Sequence, residues 1–164
     1  MTIRESMPTP GILVAIDVSK TRNDVLIETP GSARRRRLVV PNTRVEHDHF
    51  IGFLKGLGAP VTAALEATGN YHRPLAFRLI EAGVSLRLVS SVALARTREA
   101  MHNGWDKNDP KDAQVILHLL KAGTTQVYYD PLENQYNDLQ ELANTYQQIS
   151  LWKVRLYHSI MTHY

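Results

Sequence analysis

Hydrophobic runs separated by polar turns fill the first part of the chain and predict strands. The run GILVAIDV at 11–18 is apolar apart from one acid near its end, which is typical of a central strand buried on both faces. The segment DVLIE at 24–28 alternates between polar and apolar residues, and RRRRLVV at 34–40 follows a turn-rich stretch. Because these runs lie close together, they predict three strands in an antiparallel meander.

The spacing of apolar residues changes to a helical period after the third run. Thr43 and Glu46 stand at the spacing of a capping box and predict the start of a helix. Residues 61–68 and 84–90 predict two more strands, with a helix over 73–82 between them. Since helical crossovers join parallel strands, the order β-β-β-α-β-α-β-α predicts an α/β fold with a mixed sheet.

Three helical segments follow the last predicted strand. Residues 91–101 and 110–123 predict helices joined by a loop, and from Pro131 apolar residues recur at helical spacing over about 30 residues without a glycine. The apolar stripe of this long helix needs a partner, so we expect a linker or dimerisation coiled coil. The predicted organisation is a tail at 1–10, a domain at 11–125 and a helical extension at 126–164.

Composition narrows the class of protein. A chain of 164 residues that is 43% hydrophobic can form one domain with a core and an appended element. The absence of cysteine excludes a disulfide framework, a thiol nucleophile and a cysteine-based zinc site. Because the N-terminal segment lacks an apolar signal core and no run of about 18 apolar residues follows, we expect a soluble, cytoplasmic protein without membrane association.

Positive charge is concentrated in clusters, although the net charge is only +3. Four consecutive arginines, and a second basic cluster upstream of and around Asp109 and Asp112, favour a polyanionic partner. For any single one of these residues, a solvated charged surface is the simpler interpretation. The candidate nucleic-acid contacts are Arg34, Arg35, Arg36, Arg37, Arg73, Arg96, Arg98, Lys107 and Lys111.

Asp17 and Glu66 each lie near the end of an otherwise apolar predicted strand. An isolated ionised carboxylate is costly in such surroundings, so each one needs compensation. If the first and fourth strands are parallel neighbours, both carboxylates emerge at the carboxyl edge of one sheet, where open α/β sheets carry their sites. For Asp17 alone, hydrogen bonds from the turn that follows are an equally good explanation.

Asp109 and Asp112 lie where a helix is predicted to begin. Asp109 as the N-cap, Pro110 at the first position and Asp112 in the first turn fit an ordinary helix start. The same spacing puts both acids on one face, with Cβ atoms about 5–6 Å apart, suitable for sharing a cation with acids from the sheet. Two unit charges 4 Å apart repel by about 4 kcal/mol at an effective dielectric of 20, so converging carboxylates favour divalent cations.

Three segments of the chain together resemble a known family. They are GILVAIDVSKTRNDVLI, ALEATGNYHRPLAFRLIEAGVSLRLVSSVALAR and KNDPKDAQVILHLLKAG. In order and spacing they resemble the N-terminal domain of bacterial insertion-sequence transposases with an Asp-Glu-Asp-Asp (DEDD) signature, a group that includes Piv-type DNA invertases. The resemblance runs from about Gly11 to Gly123. It implies a ribonuclease-H-like fold akin to RuvC-type Holliday-junction resolvases, and it identifies Asp17, Glu66, Asp109 and Asp112 as catalytic metal ligands.

The resemblance implies DNA strand cleavage and transfer with Mg²⁺ or Mn²⁺. Two such ions activate an attacking oxygen and stabilise the leaving one, so the carboxylates would hold metal and not attack. The family pattern also implies a C-terminal domain with a serine nucleophile and a structured guide RNA. Since the chain stops at Tyr164, we expect it to be the N-terminal part of such a protein and assign no serine here that role.

Three alternative functions fit parts of the sequence. A self-sufficient nuclease of the resolvase type needs no second domain. A nucleotide-binding module of the actin and sugar-kinase superfamily needs a glycine-rich phosphate turn after the first strand, which DVSKTRND lacks. A third alternative is a non-catalytic module for nucleic-acid binding and dimerisation. It predicts that alanine at Asp17 or Glu66 leaves DNA or RNA binding and the activity of the full-length protein unchanged.

Three further residues with possible chemistry are interpreted as ordinary structure. His47 lies in the sequence His-Asp-His, but residues two apart on a helix point in different directions, which favours an exposed polar face over a metal site. His72 follows the turn after Glu66 and is interpreted as a surface histidine. Trp105 is interpreted as an anchor for its loop, ahead of a role in stacking on a base.

Overall fold

The computed structural model describes residues 11–32, 34–67, 69–102, 109–129 and 136–162, with only the backbone described at 102, 109–110 and 136–141. The predicted tail, the interpretation of Trp105 and the predicted contact by Lys107 fall outside this part of the chain. The side chain of Asp109 also falls outside it.

A mixed six-stranded sheet forms the centre of the first compact unit, Met1–Tyr128. Its strands are β1 (Ile12–Val18), β2 (Arg22–Glu28), β3 (Arg36–Pro41), β4 (Val61–Glu66), β5 (Ser85–Val89) and β6 (Gln126–Val127), in the order β3-β2-β1-β4-β5-β6. β1 pairs antiparallel with β2 and parallel with β4, and β4 pairs parallel with β5. The predicted meander and parallel half are therefore confirmed. β6 was not predicted, because a strand of two residues has no periodicity to detect.

Five helices lie in the described part of the chain: α1 (Arg44–Gly56), α2 (Arg73–Glu81), α3 (Ser91–His102), α4 (Asp109–Lys121) and α5 (Tyr136–Thr162). The predicted cap is present, since the Thr43 hydroxyl accepts a hydrogen bond from the Glu46 amide at 3.4 Å. α5 contains 27 residues. The predicted α/β fold, with a mixed sheet and a C-terminal long helix, is confirmed.

The two faces of the sheet build separate cores, because side chains alternate along each strand. On β1, Ile16 belongs to the cluster that includes Phe50 of α1, and we call this side the α1 face. Ala15 of β1 and Ala64 of β4 belong to the cluster that includes residues of α3 and α4, and we call this side the α4 face. An acid on β1 or β4 therefore lies on the α4 face if it is in step with Ala15 or Ala64, that is, an even number of residues away along the same strand.

Two histidines correct the sequence analysis. His47 is only 2% exposed, whereas Val45 is 59% exposed, so the interpretation of His47 as part of an exposed polar face is wrong. The buried stripe of α1 passes through His47, because that residue precedes the buried Phe50 by one helical turn. His72 is 6% exposed and packs edge-on against Tyr128 with ring centroids 5.9 Å apart, so its interpretation as a surface histidine is also wrong.

The second compact unit, Tyr129–Tyr164, contains α5. Its apolar side chains are exposed, with values from 51% at Ile160 to 75% at Tyr146 along the stripe. No helix in the described ranges combines the length and the apolar character needed to cross a membrane.

Candidate active site

Asp17 and Glu66 occupy neighbouring positions at the carboxyl edge of the sheet. The parallel pairing of β1 with β4 brings Ile16 beside Leu65, and each acid is the next residue of its strand. Adjacent strands lie about 4.8 Å apart. Asp17 is two residues beyond Ala15 and Glu66 is two residues beyond Ala64, so both acids lie on the α4 face, and both are half-buried.

Asp112 lies on α4, the helix that packs against this same face. Among the strands, α4 contacts β1 and β2 most extensively, and it also reaches β4. Asp112 is 7% exposed, and its Oδ1 accepts a hydrogen bond from Arg98 Nε on α3 at 2.6 Å. The Arg98 guanidinium therefore compensates the charge of a carboxylate that is buried among apolar residues of α4.

Asp109 begins α4, three residues before Asp112 and one residue earlier than the helix start at Pro110 that the sequence analysis predicted. Among the residues whose side chains are described, no three His, Asp or Glu side chains form a group that could hold a metal ion. Asp109 does not enter that statement, because its side chain lies outside the described part.

The donor chemistry of the site suits a hard divalent cation. Asp17 and Glu66 offer carboxylate oxygens from adjacent positions on one face. Mg²⁺ prefers oxygen ligands, keeps several waters and is commonly held by one or two carboxylates together with substrate phosphates. Asp17 and Glu66 therefore provide as many carboxylates as a magnesium site of this kind commonly uses.

Asp24 is an acid of this site that the sequence analysis missed. The antiparallel pairing of β1 with β2 places Asp24 directly opposite Asp17, in step with Leu26 on the α4 face. Its Oδ2 lies 3.5 Å from Arg22 Nε, which compensates its charge. The signal that identifies Asp24 is the register of the hairpin, which depends on the length of the turn between the strands.

Asn42 connects the two loops that follow Asp17 and Glu66. Its Nδ2 donates to the backbone carbonyl oxygens of Ser19, Lys20 and Tyr71, at 3.2, 3.4 and 3.5 Å. An amide nitrogen carries two hydrogens, so these three long bonds share them. These bonds join the loop that follows β1 to the loop that follows β4. Nothing in the local sequence distinguishes Asn42 from an ordinary turn residue.

The arginine run divides between the two faces of the sheet. Arg36 lies over the ring of Phe53 on the α1 face, 4.6 Å from its centroid. Arg37 is paired with Leu26 and so lies on the α4 face, where it is exposed. The consecutive arginines therefore do not form one continuous patch, because strand alternation separates them.

Glu28 binds two of the basic side chains. Its carboxylate accepts from Lys121 Nζ at 2.6 Å and from Arg35 Nε at 3.0 Å. The hydrogen bond from Lys121, followed by the one from Arg35, lowers the pKa of Glu28, although partial burial opposes the change. Arg35 therefore stabilises the end of β2 and is not a simple exposed cation.

The other predicted nucleic-acid contacts fall into three groups. Arg34 and Arg96 are exposed, as Arg37 is, while Arg73 and Lys111 are half-buried. Arg98 is engaged by Asp112. The exposed arginines are accessible, as a contact with phosphate requires. Arg98, in contrast, is paired with Asp112 within the protein.

Comparison with known proteins gives one family and a set of matching solved structures. Residues 14–163 match the model of a family described as transposases, the DEDD transposases of the IS110 type. Among curated proteins, no significant match is found.

Three solved structures are among those that match this chain. RuvC from Thermus thermophilus in complex with a Holliday junction substrate has a TM-score of 0.49 and 14% identity, covering 72% of this chain and 99% of that one. A second T. thermophilus RuvC structure has a TM-score of 0.48 and 13% identity, covering 71% and 99% of the two chains. YeaZ from Pseudomonas aeruginosa has a TM-score of 0.37 and 17% identity, covering 57% and 50%.

Proposed function

Because this chain belongs to the DEDD transposase family of the IS110 type, we propose that its residues 11–125 form the metal-dependent domain that cleaves and transfers DNA strands. Residues 126–164 then serve as a linker and dimerisation element. The observation that carries this proposal is the placement of Asp17 beside Glu66 on the face against which α4, the helix of Asp109 and Asp112, packs.

The residues that would hold Mg²⁺ or Mn²⁺ are Asp17, Glu66, Asp109 and Asp112. When bound, such ions supply positive charge that activates an attacking oxygen and stabilises the leaving oxygen in phosphoryl transfer. The chain's own contribution is to keep the sheet acids in register through the pairing of β1 with β4. Asn42 supports this arrangement by joining the loops beyond the two strands.

Nucleic-acid contact is assigned to the exposed basic residues. Arg34, Arg37 and Arg96 can reach phosphate oxygens without giving up an internal ion pair that the structure displays. Such contacts set the position of a strand more than they select its sequence. Since the family acts on DNA, the proposed partners are DNA and a structured guide RNA, in the cytoplasm where bacterial DNA is found.

We also propose that α5 pairs with a second copy of itself. Leu142, Ile149 and Leu156 repeat every seven residues, and Tyr146, Lys153 and Ile160 repeat in the same way four residues later. This is the a and d pattern of a coiled coil, with Lys153 as a polar residue at one a position. Ile149, Trp152 and Leu156 also line one shallow apolar groove on α5.

Metal titration of the purified chain tests the catalytic proposal. Calorimetry with MnCl₂ and MgCl₂ should detect binding that Asp17→Asn and Glu66→Gln each weaken at least tenfold. Asp48→Asn, on exposed α1 surface, is the matched control and should bind as the unsubstituted chain does. Equal binding by all four proteins would contradict the proposed site. A companion nicking assay on supercoiled DNA should show metal-dependent cleavage only if the chain is active without further domains.

A further inference from the structure

Arg98 is one of the candidate nucleic-acid contacts, and its guanidinium binds a buried carboxylate. We propose that Arg98 is a positioning residue for Asp112 in the metal site and not a nucleic-acid contact. The proposal rests on the function proposed above, since it assigns Arg98 a role in the same site.

The contact between the two residues is short and sheltered. Arg98 Nε donates to Asp112 Oδ1 at 2.6 Å, and the two side chains are 25% and 11% exposed. A charge-assisted hydrogen bond of this length is among the stronger polar contacts in a protein. It joins α3 to α4 at the first turn of α4, so it fixes both the helix and the carboxylate.

Withdrawing Arg98 to meet a phosphate would leave Asp112 charged and without that partner. Asp112 is 7% exposed, and removing one member of a buried ion pair is strongly destabilising. Arg96, two residues earlier on the same helix, is exposed. The nucleic-acid role assigned from sequence to both arginines therefore suits Arg96 and does not suit Arg98.

The geometry of the bond suits a supporting role. It uses Oδ1 of Asp112, which leaves Oδ2 as the oxygen with which the carboxylate can bind a cation. Groups that hydrogen-bond to a metal-ligating carboxylate fix its orientation, and their loss typically lowers metal affinity by about 10–100-fold. α4, the helix that carries Asp112, packs against β1 and β4, the strands that carry Asp17 and Glu66.

A purely competitive role for Arg98 would have the opposite consequence. If its positive charge only occupied Asp112 in place of a metal ion, removal of that charge would strengthen metal binding. The direction of the change in affinity therefore distinguishes a supporting guanidinium from a competing one.

Mn²⁺ binding to purified variants, followed by electron paramagnetic resonance and calorimetry, tests the proposal. Arg98→Gln should bind Mn²⁺ about 10–100-fold more weakly than the unsubstituted chain. Arg98→Lys keeps the charge but lacks the planar donor, so it should recover only part of that loss. Arg96→Gln is the matched control on α3 and should leave Mn²⁺ affinity unchanged while weakening the binding of a DNA duplex.

A double variant keeps the test valid if Arg98→Gln folds poorly. Asp112→Asn removes the charge that Arg98 compensates, so Asp112→Asn with Arg98→Gln should fold and should bind Mn²⁺ no more weakly than Asp112→Asn alone. An independent further loss in the double variant would overturn the proposal, because Arg98 would then act through another group.

The outcomes separate this inference from the proposed function. Unchanged or tighter Mn²⁺ binding by Arg98→Gln, together with weakened binding by Asp17→Asn, overturns the role of Arg98 and leaves the metal site standing. The absence of Mn²⁺ binding by the unsubstituted chain overturns both.

Discussion

Asp24 lies directly opposite Asp17 across the antiparallel pair of β1 and β2, and both acids lie on the α4 face. Like charges directly opposite each other destabilise a sheet. Arg22 compensates Asp24, with its Nε 3.5 Å from the Asp24 carboxylate. The site thus places two carboxylates side by side, and Arg22 lies on the same strand as Asp24.

The proposed role of Asp17 as a metal ligand predicts that the two acids respond differently to neutralisation. Asp17→Asn should abolish the increase in melting temperature that millimolar Mn²⁺ gives, because it removes a proposed ligand. Asp24→Asn should retain most of that increase, because Asp24 is paired with Arg22. Scanning calorimetry with and without Mn²⁺ measures both effects. If both variants lost the Mn²⁺-dependent increase in melting temperature equally, Asp24 would be a metal ligand as Asp17 is.

The sequence was sufficient to predict most of the framework of this site. Strand periodicity and the crossover helices predicted that Asp17 and Glu66 would meet at one edge, because parallel strands end on the same side of the sheet. Asp24 was missed because its position depends on hairpin register. The Arg98–Asp112 bond was missed because it joins two helices whose relative position is set by packing, not by any local pattern.

The arginine run offers a second prediction, since neighbouring residues on β3 face opposite sides of the sheet. Arg36→Gln should lower the free energy of unfolding by about 0.5–1 kcal/mol, because it removes the contact with the Phe53 ring. Arg37→Gln should leave stability within about 0.5 kcal/mol, because its side chain is exposed. Urea denaturation measures both differences.

The same pair of variants should behave differently towards nucleic acid. Arg37→Gln should weaken DNA binding and reduce the slope of log affinity against log salt by roughly 1, as expected for one lost phosphate contact. Arg36→Gln should change the slope less. If the two variants gave equal slopes, strand alternation would not determine which arginines meet the phosphates.

Glu28 supplies a third prediction, because it holds both Lys121 and Arg35. Glu28→Gln should destabilise the chain by about 1 kcal/mol, a modest value because both cations are about half exposed. Its two cations would be released, so non-specific binding to DNA should become tighter. Thermal unfolding and fluorescence anisotropy measure these opposite effects, with exposed Glu81→Gln as the control.

The pH dependence of this contribution follows from the lowered pKa of Glu28. The ionised carboxylate is favoured in the folded state, so the contribution is fully present above the unfolded value of 4.5 and is lost as the pH falls through the lowered folded pKa. Glu28→Gln should therefore reduce the loss of stability on acidification below pH 4.5. A slope identical to that of the unsubstituted chain would contradict this assignment.

His47 supplies a fourth prediction, because the folded state favours its neutral form. Burial, with a smaller contribution from the Arg78 charge, lowers the pKa of His47 below 6.5. The unfolded chain then binds a proton that the folded chain rejects, so stability falls as the pH drops below 6.5, by at most about 1.4 kcal/mol per pH unit. His47→Leu should flatten this dependence between pH 6.5 and 5. His49→Leu, on an exposed position, should leave it unchanged.

α5 supplies the last prediction, because its a and d positions are exposed. Ile149→Glu with Leu156→Glu should weaken self-association of the chain at least tenfold, about 1.4 kcal/mol, since two charges would enter the apolar seam. Lys153→Leu should strengthen it by removing the polar residue from that seam. His158→Glu lies on the opposite side of the helix and is the control. Sedimentation velocity measures all four proteins, and a dimer that survives the double substitution would place the self-association surface outside this stripe.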